Sequence, residues 1–409
     1  MVYIISGVAF TGNKGASGMA EAIIQNLSSC DLDNRFYVYT YYPRQDAKAN
    51  LYDNVTILDA TPKAVVINFF LVLWSALCIL LKLPGSFYKK HRLTNAILES
   101  DYWLDTSGIS FVDGREKFLI YNILSILPAL MLKRKIVKMP QALGPFNNRI
   151  NRWCSSLILP KIALICSRGR ATCRHLEQLG LKNYSFYPDI AFSLKTSPQD
   201  RQAVEGYIED SPKRIIGISP SQVVYGLCQK KGINYLNILK GVTEELIKGG
   251  CKVVVFAHSI RTDTQKTHNN DLPLLIQLAQ ILGKNDDIRI VDKDLTASQL
   301  RELIGSFDTL IASRFHALIS AICTSTPVIT LGWSHKYDEV LEEFGISDYS
   351  VKYNEISEGK LLALVEKAQV ARDDIALRIE NHLPQVKEQL KKLYSSISGK
   401  PEENLNKKR

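Results

Sequence analysis

Short apolar runs, each closed by glycine, proline or small polar residues, alternate along this chain with longer segments of helical periodicity. The opening MVYIISGVAF reads as a strand, and TGNKGASGM turns into a helix over residues 20–27. Further strands are expected at residues 35–41, near Val55, and at 101–105, 135–139, 162–166 and 185–187. The last four run into TSGISFVDG, PQALGPF, SRGRAT and PDIAFSL, as loops gathered on one ligand-binding edge would. Residues 196–213 are polar, with two prolines and mixed charge, and read as a linker. A second series begins at RIIGISP, passes through CKVVVFAH and DIRIV, and reaches DTLIASRFHALISAICTSTPVITLGWSHK. That last stretch is one strand–helix–strand unit.

The pattern predicts an α/β protein of two Rossmann-like domains with C-terminal helices. The expected bounds are 1–195 for the N-terminal α/β domain, 196–213 for the linker and 214–348 for the C-terminal α/β domain. Helices follow over 349–396, and a disordered tail over 397–409. A chain of 409 residues suits two domains, and 46% hydrophobic and 22% charged residues are globular values.

Residues 64–83, AVVINFFLVLWSALCILLKL, depart from the α/β pattern. Their length approaches that of a bilayer span, although Asn68, Ser75 and Lys82 interrupt it. Three readings stand: a transmembrane helix, a helix on the membrane surface, and a buried or oligomer-interface helix. Crossing would put the halves of one α/β domain on opposite sides of a membrane, so surface contact is favoured.

Charge sharpens this picture. The net charge is +10, and no Asp or Glu occurs from Lys117 to Leu176. Such a run suits phosphate or an anionic membrane surface. No DNA- or RNA-binding motif accompanies it, which argues against nucleic acid. The eight cysteines form no CxxC pair and read as reduced core residues in a cytosolic chain. No secretory signal opens the sequence, and no cluster has metal-ligand spacing.

Ser313, Arg314 and His316 fall where the strand over 309–312 meets its helix, and His335 and Lys336 follow the next strand on the same edge. In open parallel sheets that edge binds ligands, and the helix dipole favours an anion. One cationic rim is therefore expected, suited to an anionic donor. The first turn lacks GxGxxG, so a dinucleotide is not favoured. Gly12 and Gly15 would let backbone amides approach a ligand that Asn13 orients; a plain tight turn with a helix cap stays equally open.

Taken together, GNKGA, SGISFVDGR, QALGPF, the SR of SRGRAT, PDIAFSL and SRFHALISAICTSTPVI followed by SHK resemble the polysaccharide pyruvyl transferase family, over most of residues 1–348. The resemblance implies a GT-B-like architecture, with the first domain on the acceptor side and the second on the donor side. It implies transfer of enolpyruvate from phosphoenolpyruvate, as donor substrate and with no separate cofactor, to hydroxyls of a sugar, leaving a pyruvate ketal and phosphate. The acceptor is a glycan or lipid-linked oligosaccharide, and the place a peripheral one at the cytoplasmic membrane face. A homo-oligomer is left open.

Arginine forks suit carboxylate and phosphate, which points to Arg314 and Arg168, with Lys336, His335 and Ser313 completing the donor side. His316, whose imidazole has an ordinary pKa of about 6.5, is the acid/base candidate. Asn13, Gly15, Asp113, Gln141 and Asp189 are assigned to the acceptor or to loop holding. The bland alternatives are an ion pair for Arg168, a helix-capping role for His316 and a solvated turn for His335. Relatives often carry an acidic residue where this chain has Gly169, and Asp where it has Ala16. Either departure could mean a shifted acceptor or a lost capping bond. Two other functions remain: a GT-B glycosyltransferase with a nucleotide-sugar donor, for which Glu339 is the nearest ribose-binding candidate, and a non-catalytic membrane-docked scaffold.

Overall fold

The computed structural model describes residues 1–208, 212–261 and 270–399. They form two compact units. The first holds Met1–Thr11, Met19–Ser193 and the described residues from Glu388 on; the second holds Gly12–Gly18 and Leu194–Lys387.

The first unit is built on β1 (Val2–Ser6), α1 (Lys14–Cys30), β2 (Arg35–Thr40), α2 (Pro43–Ala49) and β3 (Val55–Asp59). There follow α3 (Pro62–Leu80), α4 (Arg92–Glu99), β4 (Tyr102–Asp105), α5 (Leu119–Met131) and β5 (Lys135–Gln141). α6 (Arg149–Ile158), β6 (Leu164–Ser167), α7 (Arg170–Gln178) and β7 (Tyr184–Phe186) complete the sheet, whose order is β3-β2-β1-β4-β5-β6-β7. Its strands pair in parallel, and β1 beside β4 is where the winding reverses. VYIIS is apolar save for its last residue and wholly buried, as a parallel strand covered on both faces must be.

The second unit contains α8 (Pro198–Glu205), β8 (Ile215–Ser219), α9 (Gln222–Gln229), α10 (Tyr235–Lys248), β9 (Lys252–Phe256) and α11 (Leu272–Leu282). β10 (Ile288–Val291), α12 (Ala297–Gly305), β11 (Thr309–Ala312), α13 (Phe315–Cys323), β12 (Val328–Gly332) and α14 (His335–Glu343) come next. β13 (Ser350–Lys352), α15 (Glu358–Val370) and α16 (Arg372–Ser398) close the chain. The parallel order β10-β9-β8-β11-β12-β13 reverses between β8 and β11, which puts the ligand-binding crevice of such a sheet at their carboxyl ends.

Several boundaries differ from expectation: Gly12–Gly18 belong to the second unit, and the described residues from Glu388 on return to the first. The polar stretch over 196–213 carries α8, because Ser197 and Asp200 form a reciprocal capping box and Asp200 also accepts from Ser298 at 2.8 Å. The second sheet extends past residue 348 to take in β13. The expected tail begins inside α16, and from residue 400 on it lies outside the described residues.

The 64–83 segment forms α3, which is long and apolar enough to cross a membrane by length and composition. One face of it belongs to the first unit's core. Val65 and Val72 join Tyr39, Trp103, Ile126 and Ile136 in a single cluster, and Ser75 Oγ meets Thr94 Oγ1 of α4 at 3.1 Å. The opposite face leaves Phe70, Trp74 and Leu77 exposed. α3 is therefore neither wholly buried nor free of the domain.

Beneath the first sheet's carboxyl edge lies a buried ion pair. Lys138 and Asp105 are cross-strand partners, both almost without exposure, and their side chains are directly bonded. Lys138 Nζ also donates to Ser110 Oγ (3.2 Å) and Gln141 Oε1 (3.4 Å) and lies over the Phe111 ring. Lys138→Ala strands the Asp105 carboxylate and is expected to cost about 3–5 kcal/mol in denaturant unfolding. Lys138→Met combined with Asp105→Leu should recover most of that loss; a double variant as unstable as the single one would refute the pairing argument.

Candidate functional site

The site of the second unit is assembled at the junction of β11 and α13. Ser313 N donates to Ser219 O of β8 at 3.1 Å, so the ladder holds one residue past the strand. Arg314 follows in an extended conformation as the residue capping α13, and its carbonyl accepts from Ala317 N and Leu318 N. Its guanidinium grips Asp271 in a fork, Nε to Oδ2 at 2.8 Å and Nη2 to Oδ1 at 2.5 Å. Burial opposes the arginine charge, but attraction to Asp271 and the hydrogen bonds between them leave its pKa raised. Asp271 is wholly buried, and its Oδ1 also accepts from Gln222 N at 2.9 Å.

A layer of phenols supports this junction. Tyr235 Oη and Ser313 Oγ share a hydrogen bond of 2.8 Å, and Tyr337 Oη donates to Ser313 O at 3.3 Å. Burial raises the pKa of both tyrosines, so they stay neutral. Lys336, expected as a point charge for phosphate, has its ammonium over Phe315, Trp333 and Tyr337, 4.6, 5.2 and 5.5 Å from the ring centroids. Such a seat holds a cation in place with apolar walls. His335 is exposed at the first position of α14.

His316 lies two residues past Arg314 on α13, its ring edge-on to Phe315 at 5.3 Å. The imidazole stands directly against Gly15, where any Cβ would collide with the ring. That is the physical demand for glycine at position 15. Asn13 orients this turn: its Oδ1 accepts from Gly15 N at 3.1 Å, and its carbonyl accepts from Ala16 N and Ser17 N. Asn13 also forms a β-bridge with Ser259. The cap thus comes from Asn13, and Ala16 leaves no capping bond missing.

Three members of this group were not singled out from the sequence. Asp271 precedes an ordinary apolar helix, and nothing in its neighbours marks it. Lys14 is buried and paired with Asp294 at 2.7 Å. His258 ends the CKVVVFAH run on the same sheet edge, and that placement was the available signal. It is buried, and its pKa falls to about 3, chiefly through burial, then through the charges of His316, Arg314 and Lys14. The expected cationic rim is consequently closer to neutral: Asp271 balances Arg314, Asp294 balances Lys14, and His258 carries no proton at neutral pH.

The other candidates lie in the first unit. Arg168 Nη1 pairs with Asp189 Oδ2 at 2.5 Å and Nη2 donates to Gly108 O at 3.1 Å, while Asp189 Oδ1 accepts from Ala191 N. Gln141 is buried, donating to Asp105 O and accepting from Ser110 Oγ. Asp113 holds the loop into α6, accepting from the amides of Asn147 and Asn148 and from Asn151 Nδ2. Gly169 has φ +89° and ψ 148° before α7, a conformation that side-chain-bearing residues avoid.

Two parallel, doubly wound sheets define a GT-B-like architecture, with a charged, histidine-bearing switch point in the second. The chain belongs to the polysaccharide pyruvyl transferase family, whose model matches residues 13–335. It is 21% identical over 287 residues to the amylovoran biosynthesis protein AmsJ of Erwinia amylovora, a match that takes in 67% of this chain and 66% of that protein's length. Among solved structures it is similar in fold to a UDP-GlcNAc 2-epimerase of Methanocaldococcus jannaschii (TM-score 0.57, 14% identity, 89% of this chain and 91% of that one). It is also similar to a glycosyltransferase of Rickettsia africae (TM-score 0.56, 12% identity, 97% and 98%).

His258 makes stability depend on pH. An imidazole held neutral in the fold binds its proton only after unfolding, so the unfolded state takes up more protons between about pH 6.5 and about 3. Stability is expected to fall with acidification across that window, by up to about 1.4 kcal/mol per pH unit from this group. His258→Asn should flatten that slope in denaturant titrations; an unchanged slope would contradict the assignment.

Proposed function

We propose that this chain transfers the enolpyruvyl group of phosphoenolpyruvate to two hydroxyls of a glycan, forming a pyruvate ketal in the synthesis of a cell-surface polysaccharide. We further propose that the acceptor is lipid-linked and that the enzyme works peripherally at the cytoplasmic face of the membrane. Family membership and the relative's role in amylovoran biosynthesis support the polysaccharide context. The observation that carries the donor reading is Arg314 and His316 together at the start of α13, on the switch-point edge.

The donor carries about three negative charges at neutral pH, a phosphate and a carboxylate. The amino end of α13, Arg314 and Lys336 supply the opposing field, and the Asp271 fork fixes the plane of the guanidinium before any ligand arrives. His316 gives a proton to the vinyl CH2 carbon. The first sugar hydroxyl adds to the carbon bearing the phosphate and loses its proton. The second hydroxyl then displaces phosphate from that carbon, which closes the ketal. Atoms balance: phosphoenolpyruvate and a diol become the ketal and inorganic phosphate. The neutral His258 behind His316 keeps the surroundings of that imidazole from gaining further charge near neutrality.

Ligand-dependent thermal stabilisation, compared between phosphoenolpyruvate and a panel of nucleotide sugars, separates the donors. Phosphoenolpyruvate alone is expected to raise the melting temperature, and Arg314→Lys to weaken that rise. His316→Ala should retain the rise while phosphate release with a glycan acceptor falls on the order of 10²–10⁴-fold. Gly15→Ala, which pushes the imidazole aside, should lower release on the order of 10²-fold with donor stabilisation kept. Stabilisation by a nucleotide sugar and not by phosphoenolpyruvate would overturn this reading in favour of a glycosyltransferase.

A further inference from the structure

α6 of the first unit leaves an apolar stripe facing outward. Its inner face mixes polar and apolar residues: Asn151 and Ser155 are buried, Cys154 and Ile158 pack against the core, and Asn151 Nδ2 bonds Phe111 O at 3.1 Å and Asp113 Oδ1 at 2.7 Å. Its outward positions are apolar, with Ile150 65%, Trp153 64% and Leu157 47% exposed. These residues recur at the three- and four-residue spacing of one helical stripe. The inward bonds fix the rotation, so the stripe cannot turn to the core without stranding Asn151.

α3 likewise leaves an apolar face outside, although Val65, Val72 and Cys78 are buried on its inner face. Ser75 is buried against Thr94, while Phe70, Leu73, Trp74 and Leu77 face out. α3 and α5 pack together; Ile158, the last residue of α6, packs against the core cluster that receives Val65 and Val72 of α3, and Leu159 just beyond the helix belongs to that cluster. Phe118 and Ile120, at the start of α5, are exposed as well. Exposed apolar surface of this extent marks an interaction site.

Its charges identify the occupant. No Asp or Glu occurs over residues 60–98 or 117–176, the stretches that contain α3, α5 and α6. Exposed cations flank the apolar positions instead: Lys82 and Lys89 after α3, Lys117 before α5, Arg149 and Arg152 on α6, and Lys161 beyond it. A protein partner would meet carboxylates as well as cations on such a face. An anionic bilayer asks for the combination present, aromatic and aliphatic side chains for the acyl boundary with lysine and arginine at the headgroups.

We propose that the outward faces of α3 and α6 form a docking surface for an anionic phospholipid bilayer, in which Ile150, Trp153 and Leu157 enter the interface and Arg149 and Arg152 meet lipid phosphates. This deepens the membrane placement proposed above and assigns it to named residues. The test is sedimentation of the full chain with vesicles of phosphatidylcholine alone or mixed with phosphatidylglycerol, without donor or acceptor, so that its outcome is independent of pyruvyl transfer. The protein is expected to sediment with the mixed vesicles at least about tenfold more tightly than with phosphatidylcholine, less so at high salt. Brominated acyl chains should quench its tryptophan emission. Ile150→Glu with Trp153→Glu should abolish binding, and Arg149→Gln with Arg152→Gln should weaken it on the order of tenfold. Circular dichroism melts of both variants should match the parent, since all four side chains are exposed. Absence of binding by the parent chain, or unchanged binding by both folded variants, would overturn the proposal. So would a dimer, seen by light scattering, that Trp153→Glu dissociates.

Discussion

One carboxylate ties the second unit's site together. Asp271 stands at the start of α11 after β9, accepts from Gln222 beyond β8, and holds Arg314 beyond β11 in a two-point grip. Its own amide donates to Ser259 O at 2.7 Å. Three strand ends at the switch point are thereby locked to one buried group. Hydrogen bonds on both oxygens offset the desolvation of this pair; removing either partner would leave the other as a buried, uncompensated charge. Everything on that edge is placed relative to this pair: the direction of α13, the position of His316 on its first turn, and the phenols beneath Ser313.

The alternation of buried strands and helices was plain in the sequence because parallel strands covered on both faces read as unbroken apolar runs. VYIIS, IIGIS and VITLG each do so. Arg314 and His316 were legible for a related reason, since polar residues directly after such a run fall at the ligand edge. Asp271, Tyr235 and Lys14 were not, because their roles depend on partners tens or hundreds of residues away. A buried carboxylate before an apolar helix and a lysine in a glycine-rich turn carry no local mark. Spacing also could not show that Arg168 and Asp189, two separate candidates, would be partners of each other, or that Asp113 would be occupied by the loop into α6.

Helices α3 and α6 expose the limit of reading hydrophobicity as burial. Periodicity identifies two faces, and the usual assumption then puts the apolar one inside. Here both faces carry apolar residues: Val65, Val72, Cys154 and Ile158 go inward together with a serine and an asparagine that find partners in Thr94, Phe111 and Asp113, while Phe70, Trp74, Ile150 and Trp153 stay outside. The second apolar stripe of each helix is left to the surroundings. Contacts decide which face turns in, and contacts are absent from a single helix's sequence.

Gly169 carries an implication for how this chain can change over time. Its backbone occupies a region that costs other residues about 1–3 kcal/mol. A mutation to an acidic residue would meet that cost at once, before any new contact with a ligand could offset it. The turn must first relax, through changes at neighbouring positions that are neutral by themselves. The turn at position 169 is thus fitted to glycine, and a side chain there is tolerated only together with a change in the backbone.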